Sequence, residues 1–378
     1  VVHCGWLDDE RETRGEAPVS TAATDDDLRS VRAVLREEVA ARRPRGGGPR
    51  DAAPGLLWDE VARLADGGKH LRARLLLDLH RALAGTRRPA AVRAAAALEM
   101  LHAAFLLHDD LIDGDLLRRG RPNLLAVARD HALARGLAPD RARRWADVAC
   151  LLAGDVALGL AHHLMATVDA PHGLRAELQE LLSTTVVTTV HGELGDVALE
   201  LGVLEPDDAA VLGVARAKTA MYTFRAPARA AGLLAGADDG ALSALDRAGR
   251  RLGEAFQLVD DVRGALAAPQ VTGKPASDLG AAKVTLLVLE ARRTPGWEDV
   301  APAWGAVGPG DERLRAFLVE SGAVGRVCAR VEGLLTDVTR GADRLPPLAA
   351  AVLVDAADEL RLLLAEVGSA VPAALAAR

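Results

Sequence analysis

The sequence predicts an all-α protein, a single large helical bundle, and three observations carry that prediction. Alanine and leucine dominate a chain of 378 residues in which 3% are aromatic, a composition that favours helix over sheet. Apolar residues recur at helical spacing along almost the whole length, interrupted at Gly, Pro or Asp clusters. No stretch alternates convincingly with period two. With 50% hydrophobic and 26% charged residues, the chain has ample material for a large core.

The elements follow in order. Residues 1–23 read as a disordered polar tail, and 24–378 as one domain. Thr24, followed by Asp25, Asp26 and Asp27, supplies the cap and acidic first turn of a helix over 24–43. The stretch RRPRGGGPRDAAPG is a loop by its Gly and Pro content. Helices are then expected at 56–65, 69–84, 89–113, 122–135, 141–168, 172–201, 206–236, 240–266, 278–293, 311–319, 322–340 and 346–367, with breaks such as GTRRP, VDAPHG and LPPL. The β-branched run TTVVTTV at 184–190 would favour a strand by propensity. It continues unbroken into HGELGDVALEL, and is assigned to helix.

Composition excludes several classes. A formal charge of −7 gives a nucleic-acid partner no electrostatic support. Cys4, Cys150 and Cys328 are widely spaced and odd in number, neither a disulfide framework nor a zinc pattern, which fits a reducing cytoplasm. Apolar runs such as LLAGDVALGLAHHLM are broken by Asp or His, so no transmembrane segment is expected. The opening residues lack the basic and apolar blocks of a signal peptide. Of 46 basic residues, only Lys69, Lys218, Lys274 and Lys283 are lysine, each in a short motif rather than on a solvated helix face. A compact ammonium differs from a planar guanidinium at a phosphate oxygen, which points to a shared role for the four.

Two acidic clusters interrupt otherwise apolar helices: Asp109-Asp110-x-x-Asp113 in LEMLHAAFLLHDDLIDGDLLRRGRP, and Asp260-Asp261 in GEAFQLVDDVRGAL. Carboxylates in such settings need neutralising. Magnesium binds through one or two carboxylates, retained waters and substrate phosphates. Asp109 and Asp113 share a helix face, with Asp110 flanking them. Arg118 and Arg119 follow where the helix should end, and guanidinium pairs can take phosphate oxygens bidentately. Together the clusters imply a cavity that holds a diphosphate through Mg²⁺.

These motifs resemble the trans-isoprenyl diphosphate synthase family, all-helical enzymes of the isoprenoid synthase type, over residues 56–365. GGKHLR looks like the family's GGKxxR, implying that Lys69 and Arg72 bind the diphosphate of isopentenyl diphosphate, with His102 at the third position for that group. HDDLID with RRGRP matches the first aspartate-rich motif. The resemblance makes Asp109, Asp110 and Asp113 metal-site residues, Arg118 a contact for the allylic diphosphate and Arg119 one for the homoallylic diphosphate. AKTA supplies Lys218 and Thr219, FQLVDD supplies Gln257, Asp260 and Asp261, and TGKP and AAKVT supply Lys274 and Lys283. It also implies about three Mg²⁺ ions per site, a helical bundle around a central cavity, and a homodimer. Departures are Gly264 at the last position of the second motif, His70 and Ala73 within GGKHLRA, and Glu193 in GELGD.

The chemistry implied is condensation of isopentenyl diphosphate with an allylic diphosphate. Preorganised positive charge favours departure of the allylic diphosphate, with Thr219 and Gln257 steadying the cation. Chain length would depend on Leu101, Ala104 and Phe105, one to two turns before Asp109. An open Ala104 beside Phe105 favours a C20 product, geranylgeranyl diphosphate, over C15. Two other readings stay open: a class I terpene cyclase on the same scaffold, and a noncatalytic partner subunit of a heteromeric synthase.

Overall fold

The computed structural model describes residues 21–44, 52–266, 279–306 and 310–376. Most of the expected tail, as well as Cys4 and Lys274, lies outside the described residues. The class is all-α: among the described residues, strand is confined to one two-residue hairpin. The chain divides into two compact units, the first reaching Leu182 and including Leu233–Ala235, the second formed by Ser183–Gly232 and the residues from Gly236 onward.

The first unit contains α1 (Thr21–Arg42), α2 (Ala52–Asp66), α3 (Leu71–Ala82), α4 (Arg88–Asp113), α5 (Leu124–Leu133), α6 (Pro139–Ala166) and the start of α7 (His172–Glu200). Helix α4 is its centre, packed against α6, α3 and α1. Pro89 sits in its first turn, where a missing N–H is harmless, and Gly114 ends it at φ 67°. The Ala91, Ala94, Ala95 and Ala97 surface on α4, like Ala146, Ala153 and Ala157 on α6, is fully buried. Small side chains allow such helices to approach closely.

Helices α4 and α6 are both long and apolar enough to cross a membrane by length and composition alone. Their few charged residues interrupt the apolar runs without removing the overall bias. In α4, 83% of that apolar window is buried inside the protein, whereas in α6 the share is 44%.

The second unit holds the rest of α7, then α8 (Asp208–Ala215), a π-helical segment (Arg216–Arg225), α9 (Ala226–Ala235) except its last three residues, α10 (Asp239–Leu266), α11 (Leu286–Arg292), α12 (Trp297–Val300), α13 (Gly310–Glu320), α14 (Ala323–Ala342) and α15 (Pro347–Ala376). Helix α10 is central here, contacting the π segment, α14 and α15. Leu245, Leu252, Phe256 and Val259 give it a buried stripe at helical spacing.

Several boundaries differ from the sequence reading: the second helix starts at Ala52 rather than 56, and the last runs to Ala376 rather than 367. The helix expected from residue 69 starts at Leu71, because His70 adopts the left-handed conformation. The single helix expected over 206–236 is interrupted by the π segment. The helix expected from 278 begins only at Leu286, where Thr285 caps it by accepting from the Val288 N–H. The TTVVTTV run lies within α7, as assigned.

Candidate active site

In the first unit, α4 carries the carboxylates. Gly114 stops the helix immediately after Asp113, leaving Asp113 exposed while Asp109 is 2% exposed. The four-residue spacing brings a carboxylate oxygen of each within 4.8 Å of the other. Two acidic oxygens so close repel each other unless a cation lies between them. Hard oxygen donors at this spacing, one buried and one open to solvent, fit a hydrated divalent cation.

Asp110 behaves differently. It is fully buried and accepts from Arg118 Nε at 2.8 Å, and Arg118 also reaches Asp109 Oδ2 at 3.2 Å. Burial opposes the Arg118 charge, but the two aspartates outweigh it and raise its pKa. Burial pushes the Asp110 carboxyl up to about 6 against the pull of Arg118. Arg118, itself 6% exposed, therefore braces the acidic turn from beneath.

Arg118 is presented by a hairpin that helical periodicity does not reveal. Strands Leu117–Arg118 (β1) and Arg121–Pro122 (β2) pair antiparallel, and Arg119 and Gly120 turn between them at φ 54° and 70°. Two successive positive φ values are those of a type I′ turn, rare for arginine at its first position. Asn123 anchors the exit: its Oδ1 accepts from the Ala126 N–H and its Nδ2 donates to the Asp115 carbonyl.

Arg119 reaches back over the Gly67–Gly68 pair. A Cβ at Gly68, whose φ is 97°, would lie 2.6 Å from an Arg119 terminal nitrogen. The paired glycines thus allow a guanidinium to rest on the loop that carries Lys69, which is exposed, and Arg72, which is buried. His102, two turns before Asp109 on α4, feels Arg72, Arg119 and Arg118 electrostatically. Desolvation first, and those cations second, hold its imidazole well below the usual range. The result is a neutral ring among several cations, an arrangement suited to a polyanion.

The lowered His102 pKa has a consequence for stability. The unfolded chain takes up the His102 proton near pH 6.5, before the folded chain does. Its contribution is therefore present above pH 6.5 and lost as pH falls toward the folded value. Stability measured by urea unfolding is expected to drop by up to about 1.4 kcal/mol per pH unit from this group below pH 6.5. His102→Gln should flatten that slope; an identical slope in the variant would refute the assignment.

In the second unit, the π segment presents Lys218 and Thr219. Lys218 Nζ donates to Glu193 Oε1 at 2.9 Å and Asp196 Oδ2 at 2.7 Å, both on α7. Thr219 Oγ1 donates to Gln257 Oε1 at 2.5 Å, and Gln257 Nε2 donates to Asp261 Oδ1 at 2.8 Å. Lys283 Nζ lies 3.7 Å from the same Asp261 oxygen. Asp260 is more exposed than Asp261. A small cavity is lined by Asp196, Lys218, Gln257, Asp261 and Lys283. A π bulge widens the helix and shifts side chains that an α-helix would stagger, which is why such bulges recur at functional sites.

Each predicted group with described residues thus has a place. Arg72, His102 and Arg119 lie near one another in the first unit, with Lys69 on the loop before α3; Asp109, Asp110 and Asp113 follow two turns along α4, and Arg118 reaches Asp109 and Asp110 from the hairpin. Lys218, Thr219, Gln257, Asp261 and Lys283 form a connected polar network in the second. Leu101 and Ala104 are fully buried, while Phe105 is half-buried on the Asp109 face. Ala104 stands about 100° around the helix from Phe105.

Sequence reasoning passed over Glu99, which accepts from the Ala73 N–H, and Glu60, which holds Arg63 at 2.6 Å. A lone Glu inside LEMLH was the available signal, since buried carboxylates are rare without partners. It noted Glu193 only as a departure, and it did not anticipate that Lys218 would hold it.

Comparison with known proteins identifies the family. The polyprenyl synthetase family model matches residues 59–301. The chain is 35% identical over 293 residues to the (2E,6E)-farnesyl diphosphate synthase of Mycobacterium tuberculosis, covering 73% of each protein. It is 32% identical over 265 residues to the geranylfarnesyl diphosphate synthase of Aeropyrum pernix, covering 68% of this chain and 77% of that one. Among solved structures, the geranylgeranyl pyrophosphate synthase from Corynebacterium glutamicum, complexed with isoprenyl diphosphate and magnesium, superposes with a TM-score of 0.78. The sequence identity is 27%, with 88% of this chain and 98% of that one covered. The chain belongs to the polyprenyl synthetase family, the trans-isoprenyl diphosphate synthases.

Proposed function

We propose that this prenyl diphosphate synthase condenses isopentenyl diphosphate head to tail with an allylic diphosphate and releases a C20 trans-prenyl diphosphate. One observation carries the reading. Along one face of α4, a cation-rich group around His102 is followed two turns later by the Asp109–Asp113 carboxylate pair. Two provisions for diphosphate, about 10 Å apart along the helix axis, suit an enzyme that holds two diphosphates at once. A cyclase has one diphosphate to hold, so the first provision would have no purpose.

Roles follow from chemistry. Lys69, Arg72, His102 and Arg119 anchor the homoallylic diphosphate. Asp109 and Asp113 hold magnesium, which supplies positive charge for a leaving diphosphate. Asp110 acts through Arg118, which orients the acidic turn and faces the allylic diphosphate. Lys218, Lys274 and Lys283 add fixed positive charge, and Asp260 and Asp261 carry further metal, three ions in all. Thr219 and Gln257 offer oxygen dipoles to the allylic cation. We take residues 24–378 as one catalytic domain working in the cytoplasm; Cys150 and Cys328 are free thiols.

A homodimer belongs to this reading. Val148, Leu151 and Leu152 leave an exposed apolar strip on α6, and Val187, Val190 and Leu194 leave another on α7. Apolar strips at helical spacing fit a second copy of the chain.

The test is incubation with Mg²⁺, isopentenyl diphosphate and each of the C5, C10 and C15 allylic diphosphates. A linear C20 product is expected. Phe105→Ala should extend it by at least one C5 unit, as the half-buried ring is removed from the Asp109 face. Cyclic hydrocarbon formed without isopentenyl diphosphate would favour the cyclase, and inactivity with every primer would favour the noncatalytic subunit.

A further inference from the structure

Helix α3 begins without help from its own cap. His70, at the cap position, has φ 48° and ψ 47°, and its side chain caps nothing. The first N–H groups of a helix have no partner within the helix. Here the Ala73 N–H donates to Glu99 Oε1 at 2.9 Å, from the adjacent α4. The second Glu99 oxygen lies 3.6 Å from His70 Nδ1, an ion-pair distance rather than a hydrogen bond. Glu99 is 5% exposed and His70 3%. Burial works against the Glu99 charge, yet His70, Arg72 and the Ala73 N–H leave its carboxyl below the usual range.

A buried carboxylate that caps one helix from another must serve a geometric purpose, since it is expensive to desolvate. The segment it fixes, from His70 to Ala73, follows directly on Lys69 and contains Arg72. Glu99 also stands three residues before His102 on α4, so the same helix turn carries the clamp and a member of the cationic cluster.

We propose that Glu99 is a positioning residue for the cationic cradle: through His70 and the Ala73 N–H it fixes the loop and first turn that present Lys69 and Arg72, and so sets affinity for the homoallylic diphosphate. This rests on the assignment of Lys69 and Arg72 to isopentenyl diphosphate. Two substitutions would probe the clamp. Ala73 has an N–H that proline at this position would lack. An arginine at position 70 would bring several donors to Glu99 and could replace that N–H.

The experiment is steady-state kinetics on full-length variants, with both substrates varied. Glu99→Leu should raise the KM for isopentenyl diphosphate about tenfold or more, the size of effect expected from a lost buried charged hydrogen bond. The KM for the allylic diphosphate should stay within about twofold and kcat within about threefold, because the Asp109 face is left intact. Glu99→Gln, which keeps an acceptor for the Ala73 N–H, should raise it about threefold. Ala73→Pro removes the N–H in the first helical turn, where proline is best tolerated, and should raise it about fivefold. Adding His70→Arg to Ala73→Pro should bring the value back to within about twofold of wild type, as expected for groups that act as a unit.

The proposal is overturned if these variants leave that KM unchanged, if the allylic KM and kcat move as much, or if His70→Arg rescues nothing. Lys69→Ala and Arg72→Ala serve as the separate control. If they raise the KM for isopentenyl diphosphate while the Glu99 and Ala73 variants do not, the clamp fails and the cradle assignment stands. If they do not raise it, the cradle assignment itself is wrong.

Discussion

Replacing Asp109 and Asp113 together by asparagine is expected to reduce kcat/KM by about 10⁴-fold, or roughly 5.5 kcal/mol of transition-state stabilisation. The reasoning is electrostatic. The two oxygens lie within 4.8 Å of each other on one face of α4, and both charges vanish in the variant. Neutral amides bind magnesium far less well than carboxylates. Asp113→Asn alone removes the exposed member and should cost about 10²-fold. The fold should survive, because like charges on neighbouring turns are mutually unfavourable, and Asp110 still receives Arg118. Circular dichroism would check the fold, and a magnesium titration should show half-saturation moving to higher concentration. Turnover within tenfold of wild type would end the reading of this face as a metal site.

The second large effect lies in the second unit, at Gly253 on α10. A Cβ there would fall 2.3 Å from the Ala220 Cα, a backbone atom of the π segment. Alanine is intrinsically better in a helix than glycine by about 1 kcal/mol. The collision should outweigh that gain, because backbone cannot swing aside as a side chain can. Gly253→Ala is expected to lose about 2–3 kcal/mol of stability, and Gly253→Val more. Activity should fall further than stability alone implies. The 2.5 Å Thr219–Gln257 hydrogen bond crosses this contact, and a displacement of about 1 Å can reduce rate about 10²-fold. Urea unfolding and kcat measured well below the melting range would separate the two effects. A Gly253→Ala protein as stable as wild type would show that the contact is not tight.

How much was legible beforehand varies by element. The ends of α4 could be read, because Pro89 and Gly114 act locally through fixed φ and a missing side chain. The sharing of a face by Asp109 and Asp113 followed from spacing. Lys69, Lys218 and Lys283 stand out by scarcity, and Lys218 and Lys283 each meet a carboxylate. The π segment could not be read: Arg216–Arg225 has the apolar spacing of any helix, and a shift to the wider hydrogen-bond pattern leaves no mark on periodicity. The Arg118–Arg121 hairpin was missed for a related reason. Its turn carries arginine at a left-handed position where Asn or Asp would ordinarily advertise it.

Interactions between elements distant in the chain were the least accessible. Glu99 and Ala73 are 26 residues apart, and Glu193 and Lys218 are 25 apart. Periodicity says which side of a helix is apolar but not which neighbour it meets. Ala104 illustrates the limit: adjacent to Phe105 in sequence, it is fully buried on another side of α4, while Phe105 keeps a partly open position beside the carboxylates.

By itself the sequence determined the helical class, the positions of most helices and the identity of the charged groups, because propensity, capping and spacing act over a few residues. Tertiary structure alone decided which of those charges are clamped and which are presented. Arg118 is turned onto Asp109 and Asp110, Lys218 is held by Glu193 and Asp196, and Glu99 caps a helix not its own. The physical reason is that burial makes an unmatched charge costly, so each buried partner is chosen by whatever the packing brings within reach.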